Sequence, residues 1–173
     1  MKYTETCKGV TLVELCTVLA IMAIITLSAV SFAPSIIQKH RADSVTRELL
    51  HLFNLARTEA ITSGSIVTLC PTNKTGNCSG DWKNNPISVF IDPDNSRSVT
   101  NTETVIKLVA PPSTGALKST PKKRGYFQFG ALGSSRGTPG NLTYSPKTND
   151  PTFARKIIIS FSGRARLASV KKQ

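Results

Sequence analysis

The chain has 173 residues and a mass of 18.6 kDa, room for one ordinary domain with one core rather than two. Hydrophobic residues make up 39%, which excludes a wholly disordered chain. Lys plus Arg number 22 against 10 Asp plus Glu, and the resulting +12 predicts attraction to polyanions while saying nothing of fold.

Val10 to Ala33 is a run of 24 residues with a single charge, Glu14. As a helix rising about 1.5 Å per residue it is about 36 Å long, enough to cross a bilayer. A secretory signal peptide has a shorter apolar core and a small-residue cleavage site, and Ala29–Ala33 is only a loose mimic of one. A plain membrane anchor leaves Glu14 unexplained. A carboxylate inside hydrocarbon disfavours insertion by about 2.5–3.5 kcal/mol, so such a residue calls for a partner.

The segment Lys8-Gly9-Val10-Thr11-Leu12-Val13-Glu14-Leu15 resembles the class III signal of type IV pilins and pseudopilins. The resemblance implies that a membrane prepilin peptidase cuts after Gly9 and methylates the new amine of Val10, where the family more often has Phe. It makes 1–9 a leader and Glu14 the fifth mature residue. A neighbouring subunit's freed amine then pairs with Glu14 among the packed N-terminal helices of a filament. Breaking such a buried pair costs about 3–5 kcal/mol, which lets Glu14 report on helix register during assembly.

After Pro34, whose missing amide hydrogen predicts a kink, the pattern turns amphipathic. Val45, Leu49, Leu52, Phe53, Ala56 and Ala60 recur at spacings of three and four, while Arg41, Asp43, Arg47, Glu48 and Arg57 take the other positions. This predicts one long helix from about Val10 to Ser63, stopped by Gly64, with 34–63 packed on a head. The only histidines, His40 and His51, are three turns apart, too far to share a metal and too few for a His-based centre.

From residue 65 the period changes. Ser65–Cys70, Ile87–Ile91, Thr104–Val109, Tyr126–Phe129, Asn141–Tyr144 and Arg155–Phe161 read as short strands separated by Gly, Pro, Asn and Ser. Ala110–Arg124 and Gly130–Gly140 read as exposed loops. The predicted fold is α+β and pilin-like, a long N-terminal helix packed on an antiparallel β head spanning 64–173 with a basic C-terminal tail.

A second resemblance lies in residues 55–92. Leu55-Ala56-Arg57-Thr58-Glu59-Ala60-Ile61, Val67-Thr68-Leu69-Cys70-Pro71, Cys78, Trp82 and Val89-Phe90-Ile91-Asp92 are similar to the FimT/GspH subgroup of minor pilins and pseudopilins. Cys7 falls in the leader, and Cys16 sits in the apolar run, where a buried thiol is expected. With the head exported, Cys70 and Cys78 can form a disulfide closing a nine-residue loop. The competing zinc reading has no second pair of ligands.

Signals for catalysis are weak. Asp92-Pro93-Asp94-Asn95-Ser96 lacks the glycine of a calcium loop and reads as a hairpin turn. Lys74-Thr75-Gly76 and Ser119-Thr120-Pro121-Lys122 echo penicillin-binding motifs in the wrong order. No P-loop, HExxH or nucleophile elbow occurs, so neither enzymatic activity nor a cofactor is expected.

The charge is segregated. Residues 1–103 carry nine basic and nine acidic side chains; residues 104–173 carry thirteen basic ones against Asp150, which accounts for the whole +12. One cluster is Lys118 with Lys122, Lys123 and Arg124. The other is Arg164 and Arg166, with Lys171 and Lys172 at the tail. On an extended chain Arg164 and Arg166 point the same way, about 6.6 Å apart, suited to successive phosphates of one strand. Gly163 permits a turn or a close backbone approach. A solvated basic tail is the other reading of these charges.

Gly163-Arg164-Ala165-Arg166 resembles the C-terminal Gly-Arg-x-Arg motif of FimT-type minor pilins that bind DNA in natural transformation. The resemblance implies a minor type IV pilin in the bacterial inner membrane and then the pilus. It implies double-stranded DNA bound through its backbone with little sequence preference, and other pilins as partners. With few aromatics among the basic residues, base stacking is expected to be minor. The alternatives are a GspH-like pseudopilin of type II secretion or an assembly-priming minor pilin, neither of which needs DNA.

Overall fold

The protein is described here by a computed structural model covering residues 9–99, 104–121, 124–146 and 151–170, with backbone only at 27–34 and 151. The chain divides into two compact units, residues 1–38 and 39–173. Its first element, α1 (Leu12–Ser63), belongs partly to each and is helical through position 34.

In the first unit the helix starts with a cap. Thr11 Oγ1 accepts the Glu14 amide at 3.3 Å, and the Glu14 carboxylate lies in the first turn, where the helix dipole favours an anion. From Val10 to Thr26 every side chain is exposed. Cys16 is therefore an exposed free thiol rather than a buried one, because no other element of the unit covers it. No helix among the described residues is long and apolar enough to cross a membrane. The rest of the expected apolar run, 27–33, and leader residues 1–8 lie outside the described side chains.

In the second unit α1 buries the expected stripe. Leu49, Leu52, Phe53, Ala56 and Ala60 are in the core with Ala42, and Val45 is packed against it. Arg41, Arg47 and Glu48 are exposed, but two flanking charges turn to the head. Asp43 pairs with Arg155 Nε at 2.7 Å, and Arg57 Nε donates to the Gly133 carbonyl at 3.1 Å. Gly64, with φ of 63°, ends the helix in the left-handed conformation that favours glycine.

Among the described residues the head contains eight strands in two antiparallel sheets. The first has the order β3-β2-β1-β5, from β1 (Val67–Pro71), β2 (Ile87–Ile91), β3 (Val105–Val109) and β5 (Phe127–Phe129). The second has the order β4-β6-β7-β8, from β4 (Ala116–Thr120), β6 (Gly140–Ser145), β7 (Arg155–Ile159) and β8 (Ala165–Ser169). Val67, Leu69, Val89, Phe127 and Phe129 of one sheet and Leu117, Leu142, Tyr144, Ile157 and Ile159 of the other join the α1 stripe in one core. Phe53 is its centre, edge-on to Phe127 with ring centroids 5.1 Å apart.

The α+β antiparallel architecture is as predicted, and six strands fall where expected. Two do not. β4 lies inside the segment expected to be a loop, because an edge strand needs only Leu117 inward and hides its pattern among Lys, Ser and Thr. The other is β8, for which no strand was expected; it orders the C-terminal tail through Ser169 by pairing with β7 from Arg155↔Ser169 to Ile159↔Ala165.

Residues 92–95 form a turn, as expected, with Asn95 N donating to Asp92 O at 3.2 Å. Asp92 itself is fully buried. Its Oδ2 accepts from Thr68 Oγ1 at 2.6 Å and Gln128 Nε2 at 3.3 Å, and the Arg97 amide also donates to the carboxylate. Gln128 continues to Asn95 Oδ1 at 2.6 Å, so the turn is fastened across β1 and β5. Cys70 and Cys78 form the disulfide expected of them.

Candidate nucleic-acid interface

Antiparallel register assigns each residue of the second sheet to a face. Leu117, Leu142, Tyr144, Ile157 and Ile159 point into the core. The other face therefore carries, in rows across the strands, Lys118–Thr143–Lys156–Ala168 and Thr120–Asn141–Ile158–Arg166. Every residue in these rows is exposed or half-buried, and neither row contains a carboxylate. With strands about 4.8 Å apart, Lys118 and Lys156 are about 10 Å apart across the sheet, and Arg166 stands one strand further on.

Arg164 precedes β8 and has the parity of Arg166, and both are exposed. Their positions are set by the β7–β8 turn. Ser160 N donates to Arg164 O at 3.1 Å, Gly163 N to Ser160 O at 3.0 Å, and Arg164 N to Ser160 Oγ at 3.2 Å. Gly163 has φ of 76° and packs against the Gly133 carbonyl. The glycine of the Gly-Arg-Ala-Arg motif thus has a steric reason and the two arginines a shared face.

The end of β4, the start of β6 and the β7–β8 turn all lie at one end of this sheet. Arg124 follows β4 at that end, but it is half-buried. Its carbonyl accepts Trp82 Nε1 at 2.9 Å, its guanidinium lies over Phe127, and its Nη1 is buried with no partner among the described residues. Lys122, Lys123, Lys171 and Lys172 lie outside the described residues. His40 and His51 are exposed, and the described residues contain no cluster of metal-ligating side chains.

The family model for type II transport protein GspH matches residues 45–163, more than two thirds of the chain. The chain belongs to the GspH family.

The type IV minor pilin FimU of Pseudomonas aeruginosa has the same fold, with a TM-score of 0.57 at 18% identity over 75% of this chain and 89% of FimU. So does the minor pseudopilin EpsH of Vibrio cholerae, with a TM-score of 0.53 at 14% identity over 78% of this chain and 98% of EpsH. No curated protein matches by sequence. The GspH match ends at Gly163, one residue before the arginine pair, so it takes in Lys118 and Lys156 but neither arginine. Glu14, exposed in the first turn of α1, and Gly9 and Val10, which precede that helix, also lie outside the matched segment.

Sequence reading missed two residues of this GspH-family head. Lys156 was hidden in a strand read as core, although its alternation with Ile157 and Ile159 marks it as outward. Arg136 is exposed in the loop before β6, with φ of 40° and its stem over Gly130, and no motif announces it.

Proposed function

We propose that this chain is a minor pilin whose head binds double-stranded DNA through the outer face of the second sheet, for uptake in natural transformation. The observation that carries the reading is the carboxylate-free alignment of Lys118, Lys156, Arg164 and Arg166 on one face. Arginine offers bidentate, permanently charged contacts to phosphate, and lysine offers point charges. Phosphate contacts position a duplex without reading bases, so little sequence preference is expected. Lys122, Lys123, Lys171 and Lys172 are proposed as further phosphate contacts on the strength of the sequence alone.

The N-terminal part of the proposal rests on the prepilin resemblance and on exposed apolar residues. Leu12, Val13, Leu15, Leu19, Ile21 and Ile25 have no cover within their unit, which suits a helix embedded in the inner membrane and later in a filament core with other pilins. Prepilin peptidase cleaves after Gly9 and methylates Val10, and Glu14 pairs with a neighbouring subunit's amine.

The test uses the full chain in non-ionic detergent with duplex DNA at several salt concentrations. Log affinity should fall with log salt with a slope of about −0.9 per phosphate neutralised. Arg164→Gln with Arg166→Gln should weaken binding and flatten that slope without lowering the unfolding temperature. Absence of binding at low salt overturns the DNA function. A GspH-like structural pseudopilin of type II secretion is the second reading, with which the GspH family match is equally consistent, and it needs no DNA binding.

A further inference from the structure

Beside the arginines stands an aromatic ring. Phe161, in the β7–β8 turn, is 74% exposed, while every other described aromatic is buried or half-buried. The turn that carries it is fixed from below. The Phe161 carbonyl accepts both the amide and the hydroxyl of the buried Ser135, at 3.0 and 3.3 Å, and Gly163 is seated on Gly133. With the backbone held inward, the ring is presented outward at no further ordering cost to the turn. Solubility and turn geometry ask for a polar residue here, and the flanking Ser160 and Ser162 supply that chemistry.

The surroundings suggest what the ring meets. Leu132 and Ile61 are exposed near the same end, Gly133 touching Ile61 and Arg57. Arg57 donates to the Gly133 carbonyl, the Arg136 stem lies over Gly130, and Arg164 and Arg166 follow Phe161 in the chain; neither the loop 130–138 nor the segment 155–170 contains an acid, and Glu59, two residues before Ile61 on α1, is the nearest one in sequence to that helix position. A second copy of this basic head would meet like charge there. A polyanion with apolar faces meets complementary charge and a ring. Intact duplex buries those faces in its stack, whereas unpaired bases expose them.

We propose that Phe161 stacks on an unpaired base of DNA whose phosphates are held by Arg164 and Arg166, so that the site prefers single-stranded ends to blunt duplex. The proposal rests on the DNA reading above and adds the form of DNA taken. It also revises the expectation that stacking is minor, since one well-placed ring serves where a count of aromatics suggests none. Base–aromatic stacking, measured by alanine substitution, is worth between about 5-fold and about 150-fold in affinity.

The experiment compares three labelled DNAs on the full chain in non-ionic detergent: a blunt duplex, the same duplex with a single-stranded overhang, and the single strand. The unaltered protein should bind the overhang more tightly than the blunt end. Phe161→Ala should lose about 5-fold or more on the overhang and stay within about 2-fold on the blunt duplex, whereas Phe161→Trp should keep the preference. Equal affinity of the Ala variant for the overhang, with an unchanged unfolding temperature, overturns stacking and leaves duplex binding standing. Loss of self-association with all DNA affinities intact makes the patch a pilin contact and likewise overturns it. Failure of the unaltered protein to bind any of the three overturns the DNA reading itself.

Discussion

Gly163 and Gly133 meet backbone to backbone: the position a Cβ of Gly163 would occupy is filled by the Gly133 carbonyl oxygen. Gly163 also has φ of 76°. Alanine there is strained by conformation, costing about 1–2 kcal/mol, and by the clash besides. Gly163→Ala should lower the unfolding temperature and weaken DNA binding with both arginines present. Thermal unfolding and a binding isotherm on the same preparation check this.

Lys156 was not singled out by any motif, so it tests the face rather than the motif. Lys156→Ala and Lys118→Ala should each reduce duplex affinity, and each should flatten the salt slope by about 0.9 if it neutralises one phosphate. Arg155→Ala faces inward and breaks the pair with Asp43. It should leave the salt slope unchanged.

The Asp92 carboxylate gathers Thr68, Gln128 and the Arg97 amide inside the head. Removing it leaves the buried Thr68 hydroxyl without its acceptor, at about 1–3 kcal/mol, while Gln128 keeps Asn95. Asp92→Ala should destabilise the head strongly while DNA affinity per folded molecule stays as it was. Chemical denaturation read alongside binding separates the two.

The disulfide Cys70–Cys78 closes a loop of nine residues, for which loop entropy gives about 2–3 kcal/mol. Reduction, or Cys78→Ser, should lower stability by about that amount. Cys70 is fully buried in β1, so the Cys70→Ser variant should suffer more than its partner.

Asp81 caps its own turn. Asn84 Nδ2 donates to Oδ2 at 2.8 Å and the Lys83 and Asn84 amides donate to Oδ1. The Asn84 side chain, above all, holds this carboxyl below its ordinary 3.8. The folded value being the lower one, the contribution is present above pH 3.8 and is lost as pH falls through the folded value. An NMR titration of Asp81 should therefore have its midpoint below 3.8, and Asn84→Ala should move it upward.

Much of this was legible in sequence because the signals were local. The α1 stripe, the Gly64 stop and six strands follow from periodicity and turn residues. The edge strands of the second sheet were not legible: β4 has one buried apolar residue, and β8 carries Arg166 and a half-exposed Leu167. The Asp92 network was invisible because its partners, Thr68 and Gln128, are 24 and 36 residues away. The arginine pair was readable as a motif, but its company of Lys118 and Lys156 depends on the register of four strands.

A sheet face whose described residues include four cations and no anion also repels itself. Those charges oppose the compact state at low ionic strength, and added salt screens them. The head should therefore melt at a higher temperature as salt rises, while its grip on DNA loosens over the same range. Bound polyanion should do what salt does for the fold, so the protein is most robust when occupied.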